Sequence, residues 1–297
     1  MPAPFLSHVG GLEVESYFDP ASATFSHLLI DSPSRQAMLI DPVLALEAST
    51  GRIDTQQADR ILQRLQAREL RLSAILETHL HADHISAADY LRSLTGARIA
   101  VSAAVPAVQK SLRRLYKLPP LSMQPFDLLM ADGEQLNFGE LQVQAWHTPG
   151  HTPACLSWLV LQEGRHSAAF VGDTLLAPDL GTGRCDFPGG DARQLYRSIN
   201  RLLSLPPQTP LYFCHDYPPQ ERDAAWMTTV EEQRQCNLQV RDGISEDAYV
   251  ALRQQRDATL APPRQMQAAL QLNLFAGRLP EPLSDGQRYM KVPLSLD

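Results

Sequence analysis

Residues 72–84 read LSAILETHLHADH, and this stretch decides the fold. Its first six residues form a short apolar run, which is typical of a buried β-strand. Residue types that bind metals follow at once, since three of the nine histidines fall between 79 and 84. On an extended or tightly turned backbone His79 and His81, two residues apart, can point the same way. The stretch therefore predicts a metal-binding loop at the end of a strand.

Three other places in the chain repeat this arrangement, with potential ligands directly after a predicted strand. They are HTPGHT at 147–152 after strand 141–146, GDT at 172–174 after strand 168–172, and HDY at 215–217 after strand 210–214. In α/β proteins the loops at one end of the strands build the functional site. We therefore expect the four loops to converge on one cleft.

The residue types in these loops indicate the kind of metal. Imidazole and carboxylate groups without a thiolate suit zinc, iron or manganese, and they disfavour a structural zinc site built on cysteines. Taken alone, HLHADH fits a solvated cluster, His151 fits an ordinary loop histidine, and Asp173 fits a turn or helix cap. Taken together, His151 and Asp173 become candidate ligands beside the first motif, whereas His147 is predicted to be structural.

The rest of the chain alternates short apolar runs with helical periodicity, which predicts an α/β layered fold. Ala58, Ile61, Leu62 and Leu65 form an i, i+3, i+4, i+7 stripe on a predicted helix over 55–69. Asp191 with Gln194 resembles a capping box that opens a helix to about residue 204. The other predicted strands are 26–30, 37–41, 98–101 and 155–161, and the other predicted helical segments are 84–94, 105–116, 228–240 and 245–258.

Composition excludes several classes of protein. The 297 residues carry 26 Lys and Arg against 33 Asp and Glu, a net charge of −7, which argues against a nucleic-acid partner. No apolar run reaches the roughly 20 residues of a membrane span, and the first residues do not read as a signal peptide. The four cysteines form no CxxC pair. We expect a cytoplasmic protein with reduced thiols, no membrane partner and no nucleic-acid partner.

With HLHADH, TPGHT, GDT and CHDY in this order and spacing, the chain resembles the metallo-β-lactamase superfamily. That resemblance implies an αββα sandwich with the metal cleft at the edges of the two sheets. GRCDF at 183–187 and the tail sequence LQLNLFAGRLP at 270–280 further resemble the persulfide dioxygenase branch, particularly its bacterial β-lactamase-like hydrolase type. We predict a catalytic domain over 1–235 and a helical or extended C-terminal appendage over 236–297, packed on the same domain.

The branch implies one Fe(II) per chain, held by His79, His151 and Asp173. It implies oxidation of glutathione persulfide, or a similar small persulfide, by O₂ to sulfite and glutathione, in sulfide detoxification. Arg184 is implied to bind the anionic glutathione, and Tyr217 to donate its hydroxyl to a bound sulfur or oxygen. Without a ligand role, Arg184 fits a surface ion pair and Tyr217 fits loop packing.

A rival interpretation uses the same scaffold. Four further residues would complete a two-metal site: His81, Asp83, His84 and His215. Two zinc ions bridged by Asp173 would activate a water for thioester hydrolysis, as in glyoxalase II. On the dioxygenase interpretation, the same four residues orient ligands or bind water. Two roles stay open for the tail and residues 45–70. They form the interface of a homodimer, or they only cover the surface of the domain.

Overall fold

The computed structural model describes residues 3–118, 123–220 and 222–294, so the ends of both predicted domain ranges, 1–2 and 295–297, lie outside it. The strands are β1 Phe5–Val9, β2 Leu12–Asp19, β3 Thr24–Asp31, β4 Gln36–Ile40, β5 Val43–Glu47, β6 Arg52–Asp54, β7 Arg71–Leu76, β8 Ile85–Ser86, β9 Arg98–Ser102, β10 Leu128–Met130, β11 Gln135–Phe138, β12 Leu141–His147, β13 Leu156–Gln162, β14 Arg165–Phe170, β15 Pro210–Tyr212 and β16 Met227–Thr229. The helices are α1 Gln56–Ala67, α2 Ala88–Thr95, α3 Val105–Leu115, α4 Ala192–Leu203, α5 Val230–Cys236, α6 Glu246–Asp257 and α7 Met266–Asn273.

Two mixed sheets face each other. One has the order β1-β2-β3-β4-β7-β9-β10 and the other β11-β12-β13-β14-β15-β16, while β6-β5-β8 form a small third sheet. The layer between the two large sheets is apolar and includes Leu29, Trp158 and Phe170, all at most 1% exposed. Burial of this shared face is the main force that holds the sheets together.

Helices cover the outer faces. On the first sheet α1, α2, α3 and α7 share a core that includes Ile61 and Leu272. On the second sheet α4 packs with α6, and Ile199 and Tyr249 lie in their common core. The predicted αββα sandwich is therefore confirmed. The residues after 235 contribute to both outer cores, and the predicted boundary at 235 stays a prediction.

Local sequence explains the start of α4 and the burial pattern of β12. The carboxylate of Asp191 caps α4 by accepting hydrogen bonds from the backbone N–H groups of Arg193 and Gln194, at 2.8 and 3.1 Å. In β12 buried and half-buried residues alternate, as the sequence pattern predicts for a strand with one face in the core.

Some predicted boundaries were wrong. The helix expected over 84–94 begins at Ala88, because Ile85 and Ser86 pair with β5 instead. The helical segment expected over 228–240 begins as β16 and is helical only over Val230–Cys236. Strand β4 ends at Ile40, since Asp41 adopts a φ of +46° and leaves the sheet. The hairpin β1–β2 was not predicted.

Candidate metal centre

The four predicted loops meet at one edge of the sandwich. The loop after β7 comes from the first sheet, and the loops after β12, β14 and β15 come from the second. Gly172 allows this approach, because a Cβ atom there would lie 2.8 Å from the side chain of Thr78. Among the described residues, four groups of potential ligand atoms result, each within 4.8 Å. Two of them contain Cys214, together with Asp41 and His81 or with Asp173 and His215. The two without a thiol are a first group of His79, His151 and Asp173 and a second group of His81, Asp83, His84 and His215.

The first group presents two imidazole nitrogens to one carboxylate. Nε2 of His151 lies 3.6 Å from Oδ2 of Asp173, and Nε2 of His79 lies 4.0 Å from the same oxygen. In both rings Nδ1 forms a hydrogen bond on the side away from the carboxylate, so Nε2 faces the centre. His151 donates from Nδ1 to the carbonyl oxygen of Arg184 at 2.6 Å. His79 donates from Nδ1 to the hydroxyl of Thr78 at 3.0 Å.

Asp41 organises the loop behind these ligands. Its carboxylate accepts hydrogen bonds from the backbone N–H and the hydroxyl of Thr78, at 2.8 and 2.7 Å. Nε2 of His81 is shared by two carboxylates, at 3.1 Å from Oδ1 of Asp41 and 3.2 Å from Oε2 of Glu77. The ring of His81 is thereby turned so that Nδ1 is its unpaired nitrogen. Sequence reasoning missed Asp41 and Glu77, although each is the last residue of a predicted strand.

The second group surrounds Asp83. Nε2 of His215 lies 3.0 Å from Oδ2 of Asp83, and Nδ1 of His84 lies 3.4 Å from Oδ1. His215 also approaches Asp173, with Nε2 3.8 Å from Oδ1, so Asp173 stands between the two groups. All seven residues predicted for one or two metals are therefore brought together.

Unpaired atoms indicate that this centre fits a cation. Within the described part of the chain, three buried ligand atoms have no partner within hydrogen-bond distance: His81 Nδ1, His84 Nε2 and Asp173 Oδ1. Buried polar groups without partners are costly in folded proteins and call for an explanation. A bound metal ion would satisfy them. The imidazole and carboxylate donor set fits Fe(II) as well as Zn²⁺.

The protonation of the histidines differs with their neighbours. Burial, together with His81 and His151, holds the pKa of His79 well below its usual range, so this ring is neutral and can bind a metal. Burial also lowers the pKa of His84 to about 4. Burial opposes the charge of His215, but the carboxylates of Asp83 and Asp173 outweigh it and raise its pKa to about 9. A cation at the second group would displace that proton.

A cavity of about 700 Å³ opens from the centre, and Asp83, His151 and Asp173 lie in its wall. Tyr217 also lines it, with its ring stacked on His215 at 5.8 Å between centroids and half of its surface exposed. The predicted substrate residue Arg184 lines the cavity as well, but its guanidinium already pairs with Asp186 at 2.6 Å. His147 lies outside both groups, and its Nε2 donates to the carbonyl oxygen of Pro153 at 3.0 Å.

The loop 183–187 closes against the ligands. The backbone N–H of Gly183 donates to the carbonyl oxygen of Asp173 at 3.0 Å. A Cβ at this position would lie 2.2 Å from that oxygen and 3.1 Å from Nδ1 of His151, so only glycine fits. Phe187 meets the ring of His151 edge-on, with 5.4 Å between centroids. This segment thus supports two of the three residues of the first group.

Comparisons with known proteins agree with this geometry. The model of the metallo-β-lactamase superfamily matches residues 23–215. A probable metallo-hydrolase of Burkholderia pseudomallei is 48% identical over 291 residues, covering 95% of this chain and 99% of the relative. The human mitochondrial persulfide dioxygenase ETHE1 is 34% identical over 277 residues, covering 92% of this chain and 93% of the relative.

Among solved structures, ETHE1 from Myxococcus xanthus superposes with a TM-score of 0.70 and 32% identity, covering 89% of this chain and 99% of the other. No helix within the described ranges has both the length and the apolar character needed to cross a membrane. The family match begins just before β3 and ends at His215, so it includes every one of the seven potential ligands. The chain therefore belongs to the metallo-β-lactamase superfamily, with ETHE1 persulfide dioxygenases among its homologues.

Proposed function

We propose that this protein is a persulfide dioxygenase that uses one Fe(II). Glutathione persulfide, O₂ and water would give glutathione and sulfite, with the outer sulfur oxidised and both oxygen atoms reduced. The observation that carries the proposal is the first group, in which two imidazoles and one carboxylate from three separate loops lie within 4.8 Å. The likeness to the two ETHE1 proteins, at 34% and 32% identity, supports this choice among the activities of the superfamily.

His79, His151 and Asp173 would hold the iron. Two histidines and one carboxylate leave positions open for a sulfur anion and O₂, and Fe(II) supplies redox chemistry that Zn²⁺ lacks. The chain's own residues then position the substrate. The cavity admits the persulfide beside Asp173, and Tyr217 stands at its wall with a hydroxyl able to donate to the anionic sulfur. Burial, together with Asp83 and Asp173, raises the pKa of that hydroxyl, so it remains a donor.

A dinuclear zinc hydrolase is the second candidate. It is favoured by the second group of ligand atoms, which lies within 4.8 Å and includes two of the three unpaired atoms. A relative named as a probable metallo-hydrolase points the same way. In that enzyme Asp173 would bridge two ions, and the substrate would be a thioester. On the dioxygenase proposal, these residues orient the iron ligands or bind water.

Metal analysis combined with an oxygen electrode separates the two. The purified protein, reconstituted anaerobically with Fe(II) or with Zn²⁺, is assayed with glutathione persulfide and with a glutathione thioester. We expect about one iron per chain and oxygen uptake only with the persulfide. Two zinc ions per chain, thioester hydrolysis and no oxygen uptake would refute the dioxygenase. The cytoplasmic location, the homodimer and the absence of nucleic-acid or membrane partners stay predictions.

A further inference from the structure

Asn273, the last residue of α7, forms hydrogen bonds to the backbone of the first ligand loop. Its Nδ2 group donates to the carbonyl oxygens of His81 and His84, both at 2.8 Å. Its Oδ1 atom accepts from the backbone N–H of Ser86 at 2.9 Å. Carbonyl groups only accept and an N–H only donates, so these partners fix the orientation of the amide. One side chain of the C-terminal segment thus holds the ligand loop at three points.

These bonds belong to a closed cycle. The hydroxyl of Ser86 donates to Oε1 of Glu77, and Oε2 of Glu77 lies 3.2 Å from Nε2 of His81. The carbonyl oxygen of His81 then accepts from Asn273, whose Oδ1 returns to Ser86. All four residues are at most 2% exposed. Because hydrogen bonds are strong in such a buried place, the cycle fixes the backbone and the imidazole of His81 together.

The end of α7 is packed tightly against β8, so Asn273 cannot easily move away. Gly277 has a φ of +79°, and a Cβ atom there would lie 1.8 Å from the carbonyl oxygen of Ser86, so only glycine fits. The backbone N–H of Asp89 donates to the carbonyl oxygen of Ala276 at 2.9 Å. Leu272 is buried in the outer core of the first sheet. The segment therefore presents the amide at a fixed place.

The loop held in this way carries potential ligands of both groups. His79 belongs to the first group, and His81, Asp83 and His84 belong to the second. Loss of the amide would take a buried donor from two carbonyl groups of this loop, which is costly unless the backbone shifts to find other partners. A shift of the backbone would displace the ligand atoms. Residues that orient metal ligands commonly contribute about 10- to 100-fold to metal affinity.

We infer that Asn273 is a positioning residue for the metal centre, supplied by the segment after the catalytic motifs. The superfamily match ends at residue 215 and does not include it. The effect must be reciprocal, because binding free energies are linked: a metal ion that binds more tightly when α7 is docked also stabilises the docking of α7. The inference concerns the metal centre and holds for one Fe(II) and for two Zn²⁺ alike.

Two substitutions and Co(II) as the metal probe test this. Asn273→Leu keeps the size of the side chain and removes all three hydrogen bonds, whereas Asn273→Asp keeps the acceptor for Ser86. Co(II) is titrated into each metal-free protein against a competing chelator, and the visible absorption spectrum reports the arrangement of its ligands. Gln57→Met is the matched control. Gln57 is also buried, donates from Nε2 to the carbonyl oxygen of Tyr17 at 3.0 Å and belongs to none of the ligand groups.

We expect both Asn273 variants to bind Co(II) about 10- to 100-fold more weakly, with a changed spectrum. Gln57→Met should lower the urea midpoint of unfolding but keep the affinity and the spectrum. A role of Asn273 in folding alone would likewise change only the midpoint. Folded Asn273 variants that bind Co(II) with unchanged affinity and spectrum therefore overturn the inference.

Hydrogen exchange in the unchanged protein keeps the test decisive if neither variant folds. Amide exchange is compared between the metal-free and the Co(II)-loaded protein, with α1 as the internal reference because it packs in the same outer core. Metal should slow exchange over residues 266–277 more than over 56–67. An equal gain in both helices, or none over 266–277, would contradict the link between the metal centre and Asn273.

Neither measurement uses a persulfide or O₂, so the outcome separates from that of the proposed function. A protein that shows the Asn273-dependent metal binding but takes up no oxygen would lose the dioxygenase assignment and keep this inference. Oxygen uptake by the unchanged protein, with Co(II) binding that does not depend on Asn273, would do the reverse.

Discussion

Oδ2 of Asp173 lies 3.6 Å from Nε2 of His151, at the meeting point of two loops that are more than twenty residues apart in sequence. The carbonyl oxygen of Arg184 fixes the far side of the His151 ring at 2.6 Å. Gly183 contacts both residues. Its N–H donates to the carbonyl oxygen of Asp173 at 3.0 Å, and a Cβ at this position would lie 3.1 Å from Nδ1 of His151. The backbone around 183–184 therefore sets the relative position of a carboxylate and an imidazole that converge as metal ligands.

The first prediction concerns Asp173→Ala. Loss of one of three ligands should remove the metal and abolish turnover, because the two remaining imidazoles cannot hold the ion alone. Plasma mass spectrometry after desalting measures the metal, and an oxygen electrode measures turnover. Asp242→Ala, at an exposed ion pair with Arg234, is the control and should keep both. Full activity in Asp173→Ala would mean that another carboxylate binds the metal.

A second prediction separates one metal from two through His84→Ala. Nε2 of His84 is buried without a partner, and the residue belongs to the second group of ligand atoms. On the mononuclear proposal, the metal content should stay near one per chain, with at most a moderate loss of kcat. A fall from two metals to one, with hydrolysis lost, would instead favour the zinc enzyme. The measurement is metal content per chain for both proteins after reconstitution.

The convergence of the ligand loops could be predicted from the sequence, because each motif follows a segment whose hydrophobic pattern identifies it as a strand. His79 and His151 follow β7 and β12, whose apolar runs or alternation identify them. Once those strands are placed in a layered α/β fold, the loops at their ends must gather at one edge.

The side-chain contacts in the cavity beside the metal centre could not be predicted in the same way. Arg256 and Arg264 lie in polar segments that read as an appendage, although both line the cavity beside the metal centre. The sequence likewise favoured Arg184 itself as the substrate contact, since its pairing with Asp186 is a matter of local geometry. Long-range side-chain contacts of this kind leave no periodic signal.

A third prediction concerns the stability of α6. Asp257 accepts from the backbone N–H of Cys185 at 2.8 Å and pairs with Arg253, which is 1% exposed. Asp257→Ala should lower the free energy of unfolding by about 3 kcal/mol, because it leaves a buried guanidinium without its counter-charge. Urea unfolding followed by circular dichroism measures the change.

The control lies on the same helix. Asp247 pairs with Arg193 at 2.8 Å but is 83% exposed, so Asp247→Ala should cost at most about 1 kcal/mol. Equal effects of the two substitutions would mean that burial of the Arg253–Asp257 pair does not matter for stability.

The last prediction concerns pH and His27, which is buried between the two sheets. Its Nε2 donates to the carbonyl oxygen of Phe213 at 2.7 Å, and its Nδ1 accepts from the hydroxyl of Ser16 at 2.8 Å, so the neutral ring is fully paired. Burial lowers its pKa to about 4, whereas an exposed histidine in the unfolded chain titrates near 6.5. Between these values the unfolded chain binds the extra proton, so the stabilising contribution is complete above about pH 6.5 and declines as the pH falls toward 4.

His27→Gln keeps an N–H donor for Phe213 but does not titrate. Unfolding by urea at pH 7.5 and at pH 5, with both proteins in the same metal state, should therefore show a smaller loss of stability on acidification for His27→Gln than for the unchanged protein. His8→Gln, at an exposed histidine on β1, should follow the unchanged protein. If His27→Gln loses as much stability as the unchanged protein between the two pH values, then His27 is not the group whose suppressed protonation contributes to the pH dependence.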